Sequence, residues 1–401
     1  MTDATGRNAR TLGGRLRELR TWRDLSLRAT AELAGLSESH LSRIERGERP
    51  VDRRSTLEAL ARALQVAPSE LTGQPYEPSD RGQAAGHTAA SALRAVLRDI
   101  ELSEPTVITP PRSVEALRPE VAAVLAGCSA SDYGAIAEAV PTLLGELHAA
   151  AEAGSGQARV MLAEVLHAAF YLAKDLGHGD LAWMVAGHLH GTAQVIGDPR
   201  WVGLAEFVRS HAVVGDRGRF RSLSLAQRGA ATLVGVGGEA EQVRGMLHLS
   251  AALHSAALRR PDVATEHLGE AADLAGVTGE GTFAGLHFGP RNVGVWRVAL
   301  AVELGEGGRV GELARSVDVS AIPSAGRRAM FYADLGRGLA TERTTRDRAV
   351  IALRKAEDNA PQLIRSNFYV REAVTNLLGR SRGGTPGREL RGMAYRMGLA
   401  G

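Results

Sequence analysis

Ser39, Ser42, Arg43 and Arg46 recur at i, i+3, i+4 and i+7, the spacing that gathers side chains on one face of an α-helix. Hydroxyls on such a face donate and accept, and guanidinium groups supply charged donors in a fixed fork. That mixture suits base edges and phosphates. Leu36, Leu41 and Ile44 belong to the opposite, inward side. A short helix that is basic on one side and apolar on the other is what the DNA major groove admits, so double-stranded DNA is the first partner to expect.

Such a helix needs a scaffold, and the flanking sequence supplies one. From Leu12 to Leu71 the apolar residues fall into five helical clusters: Leu16 with Leu19, Ala31 with Ala34, Leu41 with Ile44, Leu57 with Leu60 and Leu64, and finally Leu71. Ser26 and Ser37 stand at helix starts, where a hydroxyl accepts a free backbone N–H. Gly35 supplies the positive φ that ends the second helix sharply. Ala31 and Gly35 lie one turn apart, and small residues there let the second and third helices cross steeply, as in a helix-turn-helix.

Leu25 to Pro50, LSLRATAELAGLSESHLSRIERGERP, resembles the helix-turn-helix of the phage-repressor family (Cro/C1, or Xre), and the likeness extends over residues 11–72. It is strong at Ala31, Gly35, Leu36, Ser37, Leu41, Ser42, Ile44, Glu45 and Gly47. The resemblance implies that Glu38, Ser39, His40 and Arg43 face base edges, that Arg46 approaches a phosphate, and that Arg20 pairs with Glu45 inside the domain. Leu27 and Thr30 depart from the pattern, the first where a phosphate-contacting glutamine is common and the second where an aliphatic residue is usual. Neighbouring Arg28 is expected to replace the lost phosphate contact, whereas Thr30 is expected to loosen the second helix. Arg28, Ser37, Glu38, Ser39, His40, Ser42, Arg43 and Arg46 form the expected DNA-contacting set.

Composition agrees with a nucleic-acid partner. The formal charge of the 401-residue chain is only +3, but arginines outnumber carboxylates between residues 7 and 72, which leaves the remainder close to neutral or slightly acidic. Lys174 and Lys355 are the only lysines, so an arginine alone says little about function. Ala, Leu, Arg and Glu dominate and aromatics make up 4%, which favours helices. A lone cysteine, Cys128, offers neither a disulfide nor a cysteine-based zinc site. Met1 to Arg10 is polar, and no apolar run is long enough to cross a bilayer, so a cytoplasmic protein without membrane contact is expected.

The expected fold is all-α, with a five-helix helix-turn-helix domain at residues 11–72 and a tetratricopeptide-like α-solenoid at 114–401. Between them, TGQPYEPSDRGQAAGH reads as a flexible stretch within a linker over 73–113, which includes a short amphipathic helix from Ala92 to Leu102 and the helix-breaking SEPTVITPP. Turns near Gly177, Gly215, Leu258, Gly305 and Thr341 recur at intervals of roughly 36 to 47 residues, about two helices each. The starts Gly179-Asp180-Leu181-Ala182 and Pro261-Asp262-Val263-Ala264 echo one another. This half resembles degenerate tetratricopeptide units, and the whole resembles the peptide-responsive regulators of Gram-positive bacteria and a related actinobacterial group. Stacked hairpins leave a concave face for a peptide or small effector. The last segment, Arg388 to Leu399, places Leu390, Met393, Ala394 and Met397 on one side, to cap the array or to meet a second copy.

Ten of the 12 histidines lie between His148 and His287, yet His188 and His190 diverge on a helix and no HExxH pattern occurs, so no metal is expected. GVGG at Gly235–Gly238 lacks the lysine of a phosphate loop and reads as a turn between helices. No triad or carboxylate pair stands at a catalytic spacing, so neither an enzyme nor a cofactor is expected. The most informative stretch is FAGLHFGPRNVGVWR, where Pro290 opens a helix and His287, Arg291, Asn292 and Trp296 gather near its entrance as the candidate ligand contacts. Trp183, Phe170 and Tyr171 read as core. Two functions follow: a homodimeric regulator on an inverted-repeat operator whose DNA binding responds to an effector, or a DNA-bound adaptor whose repeats recruit a protein.

Overall fold

A computed structural model describes residues 11–78, 80–104, 112–213, 218–380 and 387–399. The N-terminal unit consists of α1 (Leu12–Trp22), α2 (Leu27–Ala34), α3 (Glu38–Glu45), α4 (Arg54–Ala63) and α5 (Pro68–Thr72). Thr11, Ser26 and Ser37 each accept a backbone N–H with the side-chain hydroxyl and so fix three helix starts. Gly35, at φ 63°, ends α2 in the left-handed region. Leu16, Leu41, Ile44, Leu60, Leu64 and Leu71 form the buried centre, and Leu19 and Leu36 pack at its margin. Gly13 is needed for another reason: a Cβ there would lie 2.4 Å from the Ile44 carbonyl oxygen, so α1 crosses α3 backbone to backbone. Thr30 does not leave a packing fault. It is fully buried, with its hydroxyl donating to the Ser26 carbonyl at 3.1 Å.

The segment after α5 differs from the expected linker. α6 starts at Arg81 rather than Ala92 and runs to Glu101, burying Gln83, Gly86, Ala89, Ala90, Leu93 and Leu97. Ahead of it, Tyr76 lies 3.8 Å under the Arg371 guanidinium, Gln74 donates to the Ser366 carbonyl at 3.0 Å, and Asp80 caps α6 while pairing with Arg365. Small residues hid this helix: Gly82 and Gly86 read as breakers, but a Cβ at Gly86 would meet Leu176 at 2.6 Å. Residues 105–111, most of the helix-breaking segment, lie outside the described residues.

Among the described residues the body is all-α apart from one small hairpin. Helices α7 (Val114–Ser129), α8 (Tyr133–Ile136), α9 (Ala139–Glu152), α10 (Gly156–Asp175), α11 (Gly179–Ile196), α12 (Pro199–Ala212), α13 (Gly218–Thr232), α14 (Glu239–Ala257) and α15 (Pro261–Thr278) follow in order. From α9 onward each packs on the next, giving a repeat-like succession of helical hairpins. Turns fall at Gly177, Leu258, Gly305 and Thr341 as the spacing requires, while Gly215 lies outside the described residues. GVGG is a turn between α13 and α14. Strands β1 (Gly281–Phe283) and β2 (Leu286–Phe288) then pair antiparallel with Thr282 opposite His287. Ala284 and Gly285, both at positive φ, make the two-residue turn. Beyond them come α16 (Pro290–Leu304), α17 (Val310–Arg315), α18 (Ala325–Leu339), α19 (Arg346–Asn359), α20 (Pro361–Arg365), α21 (Phe368–Arg380) and α22 (Arg388–Arg396). Leu390, Met393, Ala394 and Met397 are buried within the chain itself, so the last segment caps the array and leaves that apolar side no free surface for a second copy.

The N-terminal unit is clamped to this body. Phe368 of α21 is buried as part of the N-terminal core, a burial that contributes about 1.5–3 kcal/mol. Arg53, at the N-cap of α4, makes no side-chain cap bond, and Glu303 of α16 supplies one instead by accepting from the Arg54 N–H at 3.0 Å. The same carboxylate pairs with the Arg54 and Arg337 guanidinium groups, and Arg337 also reaches Asp334 and the Asp52 carbonyl. Burial alone would raise the Glu303 carboxyl, but Arg54 and Arg337 hold it below the usual range.

Candidate DNA interface and ligand cavity

Helix α3 presents the expected face. Glu38, Ser39, Arg43 and Arg46 are exposed, Ser42 is half-buried, and Leu41 and Ile44 are buried beneath. Arg43 Nη2 donates to Ser39 Oγ at 3.1 Å, which extends the guanidinium along the groove-facing side. Arg46 donates to Ser42 Oγ and pairs with Glu48 at 2.7 Å. Arg28 pairs with Glu32 at 3.0 Å on the surface of α2. Exposed pairs of this kind are weak, so neither arginine is tightly held by its carboxylate. Ser37 is engaged by the cap, and its hydroxyl accepts the His40 N–H. His40 is half-buried, and burial, together with Arg49 and Arg53, lowers its pKa. A neutral imidazole offers one donor and one acceptor to a base edge.

Arg20 and Glu45 form the inner pair that the resemblance implies. Arg20 Nε and Nη2 donate to the two carboxylate oxygens at 2.7 and 3.0 Å, and Nη1 donates to the Leu25 carbonyl. One residue thus ties α1, the α1–α2 turn and the end of α3. Glu45 is therefore neutralised from behind and does not oppose a phosphate.

Sequence reasoning missed the basic surround. Arg380 of α21 donates to the Glu48 carbonyl at 3.4 Å, and its pKa is lowered by burial and by the nearby charges of Arg346 and Arg49. Arg346 and Arg380 come from the far end of the chain, and no local pattern connects them to residues 38–49. Like-charged guanidinium groups held close together are stabilised when a polyanion covers them.

The four candidate ligand residues separate into two pairs. His287 and Trp296 line a cavity of about 520 Å³. Arg291 pairs with Glu280 at 3.5 Å, and Asn292 is buried, donating to the His287 carbonyl and to Met246, so neither lines that cavity. The difference follows from β1 and β2, because the hairpin turns the helix entrance and commits Asn292 to holding it. Phe170 is fully buried as expected and Tyr171 turns to the cavity, but Trp183 is 42% exposed at the surface beside Arg209 rather than core. Among the described residues, no three His, Cys, Asp or Glu side chains are grouped to hold a metal, and no helix is long and apolar enough to cross a membrane.

Capped turns, α2 packed on α3 across the Gly35 turn, and an exposed polar and basic α3 define a helix-turn-helix unit, the domain of DNA-binding regulators. A family model described as a helix-turn-helix domain matches residues 11–72, the same span, and supports a DNA-binding regulator. No curated protein and no solved structure matches the chain.

Proposed function

We propose that this protein is a cytoplasmic, Xre-type transcriptional regulator, homodimeric on an inverted-repeat operator, whose DNA binding is modulated by a small ligand held in a tetratricopeptide-like body. It carries out no catalysis and needs no cofactor. Glu38, Ser39, His40 and Arg43 read bases, while Arg28, Ser37, Ser42 and Arg46 hold the backbone. One helix-turn-helix reads only a few base pairs, so two are paired on half-sites about one helical turn apart. The observation that carries ligand control is a shared wall: Arg54 and Tyr369, which clamp the N-terminal unit to the body, also line the cavity. A ligand there touches the residues that fix the position of the DNA-reading unit, and it shifts DNA affinity by binding one arrangement better than the other.

Full-length protein melted with and without culture extract, and in parallel used as bait, tests this reading. A co-purifying small molecule, or a rise in melting temperature with extract that also changes DNA affinity, is the expected result. A stoichiometric protein partner with no extract effect would replace ligand control by the adaptor function.

A further inference from the structure

The cavity wall contains polar atoms that the protein leaves unused. His167 and Trp296 are 4% and 6% exposed, and His167 Nε2 and Trp296 Nε1 have no hydrogen-bond partner. His167 Nδ1 lies 3.0 Å from the Ala284 carbonyl oxygen, which can only accept, so Nδ1 carries the proton. Burial first, and Arg327 as well, bring this imidazole down to about 4, so it is neutral near pH 7 and Nε2 is a bare acceptor. Trp296 Nε1 is a bare donor. Leaving such atoms buried and unpaired is unfavourable, and a ligand that pairs them recovers that loss.

Charge narrows the ligand further. Around the cavity Lys174 pairs with Asp175, Arg54 with Glu303 and Asp334 with Arg337, while Arg118 faces Glu164. Among the described residues, Arg327 has no carboxylate partner. It lies over the Trp296 ring with Cζ 5.6 Å from the centroid and beside the Tyr171 hydroxyl. One unmatched cation calls for one negative charge, since a second would be buried without a counter-ion. Phe170, Phe207, Leu253 and Val295 give part of the wall an apolar surface, while Ser131, Asn367 and His211, whose Nε2 is also unpaired, keep the rest polar, and the volume lies within the roughly 300–1,000 Å³ of small-molecule sites rather than that of an extended peptide.

We infer that this cavity binds a compact organic acid with a single negative charge, its carboxylate on Arg327 and the Trp296 N–H, its apolar body against Phe170 and Phe207, and a hydroxyl or N–H donating to His167 Nε2. The inference rests on the ligand-controlled reading above and gives that ligand a site and a chemical class.

Melting of the full chain with salicylate, phenylacetate and indole-3-acetate, each against its uncharged amide, tests the site. At least one acid should raise the melting temperature where its amide does not. Its apparent affinity should fall about ten-fold or more in Arg327→Met, less in Arg327→Lys, and several-fold in Trp296→Phe, which keeps an aromatic ring and removes the donor. Acids that act no differently from their amides, or that bind Arg327→Met as tightly as the parent, would overturn the inference. Affinity for DNA recovered with the protein, measured on the same samples, separates the two readings. An acid bound through Arg327 that leaves DNA affinity unchanged upholds the site and removes ligand control. DNA affinity that responds to culture extract but to none of the acids removes the organic-acid site and keeps ligand control.

Discussion

Glu372 accepts the Val51 N–H at 3.5 Å at the seam between the two parts of the chain, and burial pushes its carboxyl up to about 7. A carboxyl whose pKa is raised on folding binds its proton more tightly in the folded state. Its contribution is therefore complete below the unfolded value near 4.3 and is lost as pH rises through 7. The buried histidines act in the opposite sense: His167, His178 and His248, each brought down to about 4, contribute stability that is lost as pH falls from 6.5 toward 4. Glu372→Gln isolates the first effect. Relative to the parent, the variant should gain stability between pH 5 and pH 8, by up to a few kcal/mol for a shift of that size, as read from denaturant melts. A difference that stays flat across that range would mean that Glu372 is not strained by its charge. At this scale the sequence was legible where partners are near or a motif supplies them, as with Arg20 and Glu45. Arg54 and Glu303 are far apart in the chain, and neither residue type foretells the other.

Helix α4 is short and begins at a residue with no side-chain cap, so its first turn depends on a carboxylate supplied by α16. Glu303 is fully buried, and removing it takes from Arg54 its paired carboxylate and leaves Arg337 with Asp334 alone. Glu303→Ala should cost about 3–5 kcal/mol, and adding Arg54→Ala should cost less than the sum of the single changes. Strict additivity in thermal melts would show that the two do not act as one clamp. The elements themselves were mostly legible, because helix periodicity, the hydroxyl caps and Gly35 are local signals. The exceptions have physical causes. Gly82 and Gly86 of α6 are contact sites, against Gln362 and Leu176, rather than breakers, and the alternation in TFAGLHF was short enough to pass as the approach to the helix at Pro290. The cavity was half legible: the sequence located His287 and Trp296, but not α10, whose Glu164, His167, Tyr171 and Lys174 line it from a distant segment.

Across the whole molecule, an exposed DNA-reading helix sits on a unit clamped to a helical body, and arginines of that body, Arg346 and Arg380, extend the basic surface around it. The exposed face of α3 is thus presented by the assembled chain rather than by a tethered domain. The most direct measurement is to sequence the DNA recovered with the full-length protein and to titrate the enriched site and random DNA against the parent and Arg43→Ala. The recovered fragments should share a short inverted repeat with half-sites about one helical turn apart. Arg43→Ala should lose about 1–3 kcal/mol on that site while binding random DNA almost as the parent does. Fragments with no common sequence, or equal losses on both DNAs, would contradict sequence-specific reading by α3.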